Sequence, residues 1–205
     1  MSIANYGELK TAVANFLTRD DLTARIPEFI TLGEATLYTD LRCRENEATA
    51  SVTITTSTRT SALPTLYVQA RSIYISGTIQ RLEYRKTEEY WSVYAGLTSA
   101  KPTVYTIEGE NFVWGPLPDA GYTAEVLYYQ RLAALSAAGD TNAVLTRWPN
   151  LYLWSSLLQS APFLGNDTRI LTWTAMYEDL LERIHGANAR DRASGDAISE
   201  RRAPA

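Results

Sequence analysis

The chain has 205 residues, of which 45% are hydrophobic and 20% charged. That is enough for one or two hydrophobic cores but not for a string of modules, and it rules out a chain disordered throughout. Nineteen Lys and Arg against 23 Asp and Glu leave a formal charge of -4, so no global basic field draws in a polyanion, which argues against a general nucleic-acid binder. One cysteine, Cys43, cannot close an intramolecular disulfide, and one histidine, His185, cannot furnish a Cys/His zinc site.

The first helix is signalled by Asn5 followed three residues later by Glu8, a reciprocal capping box. Tyr6, Leu9, Val13, Phe16 and Leu17 then recur at helical spacing. Met1 to Asn5 lacks a charged region followed by an apolar run, so no secretory signal is expected and the chain is read as made in the cytoplasm. Asp20 and Asp21 start the next turn, and Pro27 suits the opening of a longer helix running to about Arg44. Ile26, Phe29, Ile30, Leu37 and Leu41 lie on its buried side. Gly33 falls on the same side, either as a point of close helix approach or as a tolerated glycine.

From Thr49 the period changes. Val52 and Ile54, Ile73 and Ile75, Val104 to Ile107, and Tyr122 to Gln130 read as short antiparallel strands. Leu63-Pro64, Gly77, Lys101-Pro102, Glu108-Gly109 and Gly115-Pro116-Leu117-Pro118 fall at turns. A short helix interrupts the set, with Thr87 as cap and Tyr90, Trp91 and Tyr94 on it. After Arg131 the chain returns to helix. Pro149 opens one through Leu151, Trp154, Leu157, Leu158 and Ala161, closed by Gly165-Asn166. Asp167 or Thr168 caps a last helix with the stripe Ile170, Trp173, Tyr177, Leu180, Leu181 and Ile184, continuing to about Asn188. Trp148 to Asn166 is uncharged, but Pro149, Asn150, Gln159 and Pro162 argue against a membrane span.

The expected fold class is therefore α+β, mainly α. Residues 1–48 and 131–189 form a helical bundle, 49–130 an inserted antiparallel β-rich subdomain, and 190–205 an extended C-terminal tail with little to fold alone.

No catalytic motif emerges. His185 near a helix end reads as a cap on unpaired carbonyls. The carboxylate pairs Asp20/Asp21, Glu88/Glu89 and Glu108/Glu110 sit at helix starts or flank a turn, where negative charge has structural work. No Gly-rich phosphate loop is present, so no cofactor or metal is expected. Asn166-Asp167-Thr168 reads as a cap rather than a glycosylation acceptor. Thirteen tyrosines and five tryptophans stand beside four phenylalanines, a bias toward side chains that pack on one face and hydrogen-bond at the other. Tyr90, Trp91, Tyr94 and Trp114 lie in a β-rich segment too small to bury them all easily, so they read either as ordinary core and boundary aromatics or as anchors for other chains. The near absence of lysine beside arginine leans the same way, toward interfaces.

Several segments together resemble one family. Asn5-Tyr6-Gly7-Glu8-Leu9-Lys10 leads to Phe16-Leu17-Thr18-Arg19-Asp20-Asp21-Leu22-Thr23, then Ile26-Pro27-Glu28-Phe29-Ile30, Gly33-Glu34-Ala35 and Leu41-Arg42. Pro102-Thr103-Val104-Tyr105-Thr106-Ile107, Leu127-Tyr128-Tyr129-Gln130-Arg131-Leu132, Thr141-Asn142, Pro149-Asn150-Leu151-Tyr152-Leu153, Leu157-Leu158 and Ala161-Pro162-Phe163-Leu164 follow in order. The series is similar to the head-to-tail adaptor, or connector, proteins of tailed bacteriophages, especially short-tailed ones. Gly33 and Leu37-Tyr38-Thr39 depart from it, standing where alanine and a basic residue are expected.

The resemblance implies a structural virion protein of the neck, a homo-oligomer forming a twelvefold ring below the portal protein. Genomic DNA would pass through the lumen without specific binding, and the distal surface would receive the tail nozzle or fibre proteins. No membrane partner is implied. Twelve copies at -4 give a wall of roughly -48, which repels DNA and lets it slide. C-terminal segments of similar proteins anchor on the portal, which assigns that role to Arg190, Arg192, Ile198, Arg201 and Arg202. Tyr90, Trp91, Tyr94 and Trp114 are assigned to the tail or a neighbouring subunit. Two other readings are a virion-borne cell-wall hydrolase using a carboxylate pair and a monomeric ligand-binding domain.

Overall fold

In the computed structural model, which describes residues 3–78, 80–165 and 167–193, the first helix begins where Asn5 takes an extended backbone and its side chain accepts the Glu8 N–H at 2.9 Å. The return bond is displaced by one residue, because the Glu8 carboxylate accepts from the Ala4 N–H at 2.7 Å and not from Asn5. Helix α1 (Tyr6–Leu17) buries Tyr6, Leu9, Ala12, Val13 and Leu17. Phe16, read as part of that stripe, is instead exposed and lies edge-on to Trp154 at 5.4 Å. Asp20 and Asp21 open a 3-10 turn, and α2 (Ile26–Asp40) follows with Pro27 in its first turn. It ends at Asp40, short of the expected Arg44. Leu41 turns to extended backbone there, and the Arg42 guanidinium donates to the Tyr38 carbonyl at 2.6 Å, satisfying an acceptor the helix leaves open.

Contacts divide the chain into two compact units, Met1–Asn46 with Leu132–Ala205, and Glu47–Arg131. The first is helical. After α1 and α2 it contains α4 (Ala143–Arg147), α5 (Pro149–Leu158), α6 (Ala161–Leu164) and α7 (Arg169–Ala193), with α3 (Thr87–Glu89) lying in the other unit. Helix α5 packs against α1, α2 and α7, and Leu151, Tyr152, Leu153 and Leu157 on it are buried from several sides. The helix expected to run unbroken from Pro149 to Ala161 is interrupted at Gln159 and Ser160, and α4 was not anticipated. Helix α7 starts as expected, with the Asp167 carboxylate accepting the Arg169 N–H at 2.9 Å. It buries Trp173, Tyr177 and Ile184 and runs past the expected end at Asn188 to Ala193.

The second unit is built of two small sheets. One joins β1 (Glu47–Ile54), β7 (Tyr122–Gln130) and β3 (Tyr67–Ile75) in the order β1-β7-β3, all antiparallel. The other has the order β2-β6-β5-β4, with β2 (Thr60–Ala62), β6 (Asn111–Gly115), β5 (Val104–Glu108) and β4 (Glu83–Tyr84). Its β4–β5 pair is parallel, a departure from the all-antiparallel expectation. Alternation in β1, β3 and β7 turns Val52, Ile54, Ile73, Ile75, Ala124 and Val126 inward, where they meet Tyr105, Phe112 and Trp114 from the other sheet in one core. Helix exceeds strand over the described chain, so the class is α+β.

Candidate interaction surfaces

The aromatic segment follows β4. Thr87–Glu89 (α3) makes a single α-helical turn, and Tyr90–Tyr94 widens into a π-turn in which the Ala95 N–H reaches the Tyr90 carbonyl at 3.3 Å. Lys86 rather than Thr87 holds the cap position, and the Thr87 hydroxyl lies 3.3 Å from that of Thr106. Tyr90 is fully buried. Its hydroxyl donates to the Trp114 carbonyl at 2.8 Å and accepts from Arg59 Nη1 at 3.1 Å, while Arg59 Nη2 donates to the Ala95 carbonyl at 2.6 Å. Gly115 makes room for the ring, since a Cβ there would come within 2.6 Å of it. Trp114 is also fully buried, with its indole N–H on the Ser61 hydroxyl at 3.0 Å.

These two residues are therefore core, which corrects the expectation that they face other chains. The two sheets and the π-turn together give more depth than the strands read singly suggested. Trp91 is the member of the set that faces outward. It is 50% exposed, with its indole N–H held by the Glu108 carboxylate. Tyr94 is half-buried and stacks on Tyr90 at 6.4 Å. Val93 and Leu97 beside them are exposed.

At the other end of the chain, Arg190 is exposed on the last turns of α7. The helix therefore continues beyond the expected tail boundary at Ala189, and the reason lies in one face of α7. The Tyr177 hydroxyl donates to the Asp40 carboxylate at 3.0 Å, the Asn188 amide donates to the Arg42 carbonyl at 2.8 Å, and the Arg44 N–H donates to Asn188 Oδ1 at 3.2 Å. Asp191 lies 3.6 Å from Arg147, which also pairs with Glu45. His185 places Nε2 3.2 Å from the Asp40 carbonyl at the end of α2, so the carbonyl it meets belongs to a neighbouring helix and not to its own. The Arg192 side chain and residues Ile198, Arg201 and Arg202 lie outside the described residues.

One carboxylate of each pair is held in a structural contact. Asp21 pairs with Arg19 at 2.7 Å, which holds its carboxyl below the usual range. Glu89 pairs with Arg85 at 3.0 Å, Glu108 holds Trp91, and Glu108 and Glu110 flank Gly109 in a left-handed turn. Burial, reinforced by Glu45, pushes the Cys43 thiol up to about 12, which keeps it protonated and a poor nucleophile. Among the described residues no group of three His, Cys, Asp or Glu side chains could hold a metal ion, and no helix is long and apolar enough to cross a membrane.

Sequence reasoning missed a hollow of about 400 Å³ in the β unit, lined among others by Tyr67, Tyr84, Tyr105, Arg71 and Arg81. These residues come from three strands and one loop, so no local pattern announces it. Only the excess of tyrosine and arginine hinted at such a surface.

The described residues carry an exposed aromatic turn on one unit and a long, well-anchored helix on the other. No curated protein matches the chain. The sequence profile of the SU10 adaptor protein family matches residues 4–201, nearly the whole length and both units. The chain therefore belongs to the SU10 adaptor protein family and is a bacteriophage adaptor, a structural phage protein.

Proposed function

We propose that the chain is the head-to-tail adaptor in the neck of a short-tailed phage. Twelve copies assemble as a ring on the portal protein, genomic DNA passes through the lumen, and the distal surface receives the tail nozzle or fibres. The observation that carries this reading is the family match over residues 4–201, which spans both the helical and the β unit. The net charge of -4 supports two of its details. Like-charged copies repel in free solution until an anchored template raises their local concentration, and a negative lumen does not hold DNA.

In this reading the segment after Ala193, together with Arg190 and Arg192, anchors on the portal through bidentate arginine–carboxylate contacts and the apolar Ile198. Trp91, with Tyr94 beside it, contacts the tail side or a neighbouring copy. Sedimentation velocity tests the proposal. The chain alone should sediment as a small species, and addition of the portal ring from the same phage should move it into a large complex. Unchanged sedimentation in the mixture would overturn the adaptor ring.

A further inference from the structure

One sheet of the β unit ends in β3 and the other in β4. The segment entering β4 bridges β3 at Tyr74 and Arg81, with the Leu82 N–H on the Ile73 carbonyl at 2.9 Å, and beyond that bridge the missed hollow lies between the two strands. Two irregularities in the pairing of β3 with β7, between Tyr67 and Gln69 and between Ala70 and Ser72, fall on the residues that wall it. Bulges of this kind bend an edge strand and re-aim its side chains. The first is pinned by the Tyr67 hydroxyl, which accepts the Ala70 N–H at 2.7 Å. Tyr105 and Tyr84 meet edge to face at 5.6 Å on the opposite wall, and Tyr84 is 54% exposed.

The cations of the hollow are not equivalent. Arg71 is paired with Glu47 at 2.7 Å. Arg81 donates to the Arg71 carbonyl at 3.1 Å and makes no ion pair among the described residues, so the rest of its guanidinium donors have no protein partner among them in the hollow that the three tyrosines also line. A flat, delocalised cation that shares a hollow with tyrosine rings suits a carboxylate on a short apolar stem, which can take two parallel N–H donors while its methylene groups pack on the rings. Main-chain groups are available as well. The Glu83 N–H donates to the Thr103 carbonyl and the Arg85 N–H to the Tyr105 carbonyl, so the intervening Tyr84 directs its own N–H and C=O away from β5, toward the side on which Leu82 meets β3 and the hollow lies.

We infer that Arg81, with Tyr67, Tyr84 and Tyr105, forms a receptor site for a glutamate or aspartate side chain on an extended segment of another virion protein, laid along the β4 edge. Open backbone groups beside a side-chain pocket are the arrangement by which an added strand is held and its sequence read. The inference rests on the adaptor reading for the identity of the partner. The pocket chemistry is independent of that reading and can be tested on the free chain.

The test has two arms. In the first, the arginine Nε–Hε and tyrosine ring signals of the full labelled chain are followed by NMR during titration with N-acetyl-glutamate methylamide, and in parallel with glucuronate. Arg81 and Tyr84 should shift saturably with the glutamate derivative, and Arg81→Gln should weaken binding about tenfold or more, as loss of a charge-assisted pair requires. Tyr84→Ala should also weaken it, and Arg183→Gln on α7 should not. In the second arm, benzoyl-phenylalanine replaces Tyr84 in assembled necks and the cross-linked peptide is identified by mass spectrometry. It should be an acidic segment of another virion protein. Absence of saturable shifts, shifts that survive Arg81→Gln, glucuronate binding without any protein cross-link, or a cross-linked segment lacking a carboxylate would each overturn the inference. Failure of the chain to join the portal in sedimentation would overturn the adaptor reading and leave the first arm standing.

Discussion

A Cβ placed on Gly33 would stand 3.0 Å from the Ser155 hydroxyl and equally close to the Ser156 backbone nitrogen. Helices α2 and α5 thus meet nearly backbone to backbone, and the glycine acts as a point of close approach. In an open helix, alanine would be favoured over glycine by about 1 kcal/mol. Here two of the three nearest atoms, the Ser156 nitrogen and the Ser155 carbonyl carbon, belong to the main chain of a buried helix and cannot swing away, so Gly33→Ala should be destabilising by about 1–3 kcal/mol in urea unfolding. Gly186 on α7 has no atom within 4 Å of its would-be Cβ, and Gly186→Ala should stabilise by about 0.5–1 kcal/mol. A stabilised Gly33→Ala variant would refute the close packing.

Next to Gly33, the Glu34 carboxylate is buried, accepting from the Leu135 N–H at 3.2 Å and the Tyr152 hydroxyl at 3.4 Å. Tyr152 in turn accepts from the Asn142 amide at 2.6 Å, and Asn142 caps α4 through the Leu145 N–H. Burial raises the Glu34 carboxyl above its usual range, and the hydrogen bonds from Leu135 and Tyr152 offset this only in part. An acid whose folded value is raised leaves the protein fully stable below its unfolded value and removes stability as pH climbs through the folded value. Glu34→Gln should therefore gain stability relative to the wild type as pH rises through that window, then hold a constant difference. Chemical denaturation across the acid to neutral range reads this directly, and a difference falling with pH would contradict it.

Trp91 and Trp114 should respond oppositely to truncation. Trp114→Ala removes a side chain buried among Tyr105 and Phe112, at ring distances of 6.4 and 5.1 Å, and should cost about 3–5 kcal/mol. Trp91→Ala removes an exposed ring and should leave the melting temperature nearly unchanged while weakening attachment of the tail in assembled necks. Differential scanning calorimetry separates the two, and a large loss in Trp91→Ala would assign that residue to the core.

Asn188 bridges the Arg42 carbonyl and the Arg44 N–H. Asn188→Ala should cost about 1 kcal/mol or slightly more and speed hydrogen exchange at the end of α7. Truncation after Ala193 removes none of these contacts, so the shortened chain should keep its circular dichroism while losing portal attachment. Normal assembly of that truncated chain would contradict the anchoring role of the C-terminal segment.

What could be read from the sequence was local. The Asn5 cap, the α1 stripe apart from Phe16, Pro27, the Asp167 cap and the α7 stripe all lie within a few residues of their partners, whereas Gly33 showed only that it falls on a buried face, and Ser155 and Ser156 on another helix decide between its two readings. Short strands were harder to see. β2 has three residues and β4 two, and Phe112-Val113-Trp114 between Gly109 and Gly115 offered too few alternations to stand apart from its turns. Trp114 gives its indole N–H to Ser61 and its backbone N–H to the Arg59 carbonyl, and Tyr90 needs the space left at Gly115, partners that no periodicity connects. The end of α7 was misplaced for the same reason. Polar residues past Ile184 look solvated in one dimension, whereas Asn188 and Asp191 meet Arg42, Arg44 and Arg147 in three.

The central claim is that this chain forms the ring between portal and tail. A cryo-EM map of the neck of the phage particle that carries it tests this most directly. The account predicts a ring of twelve copies seated on the portal around an open DNA channel, with the β unit's Trp91 face in contact with another chain. A neck whose ring density is filled by a different protein, with this chain located elsewhere in the particle, would contradict it.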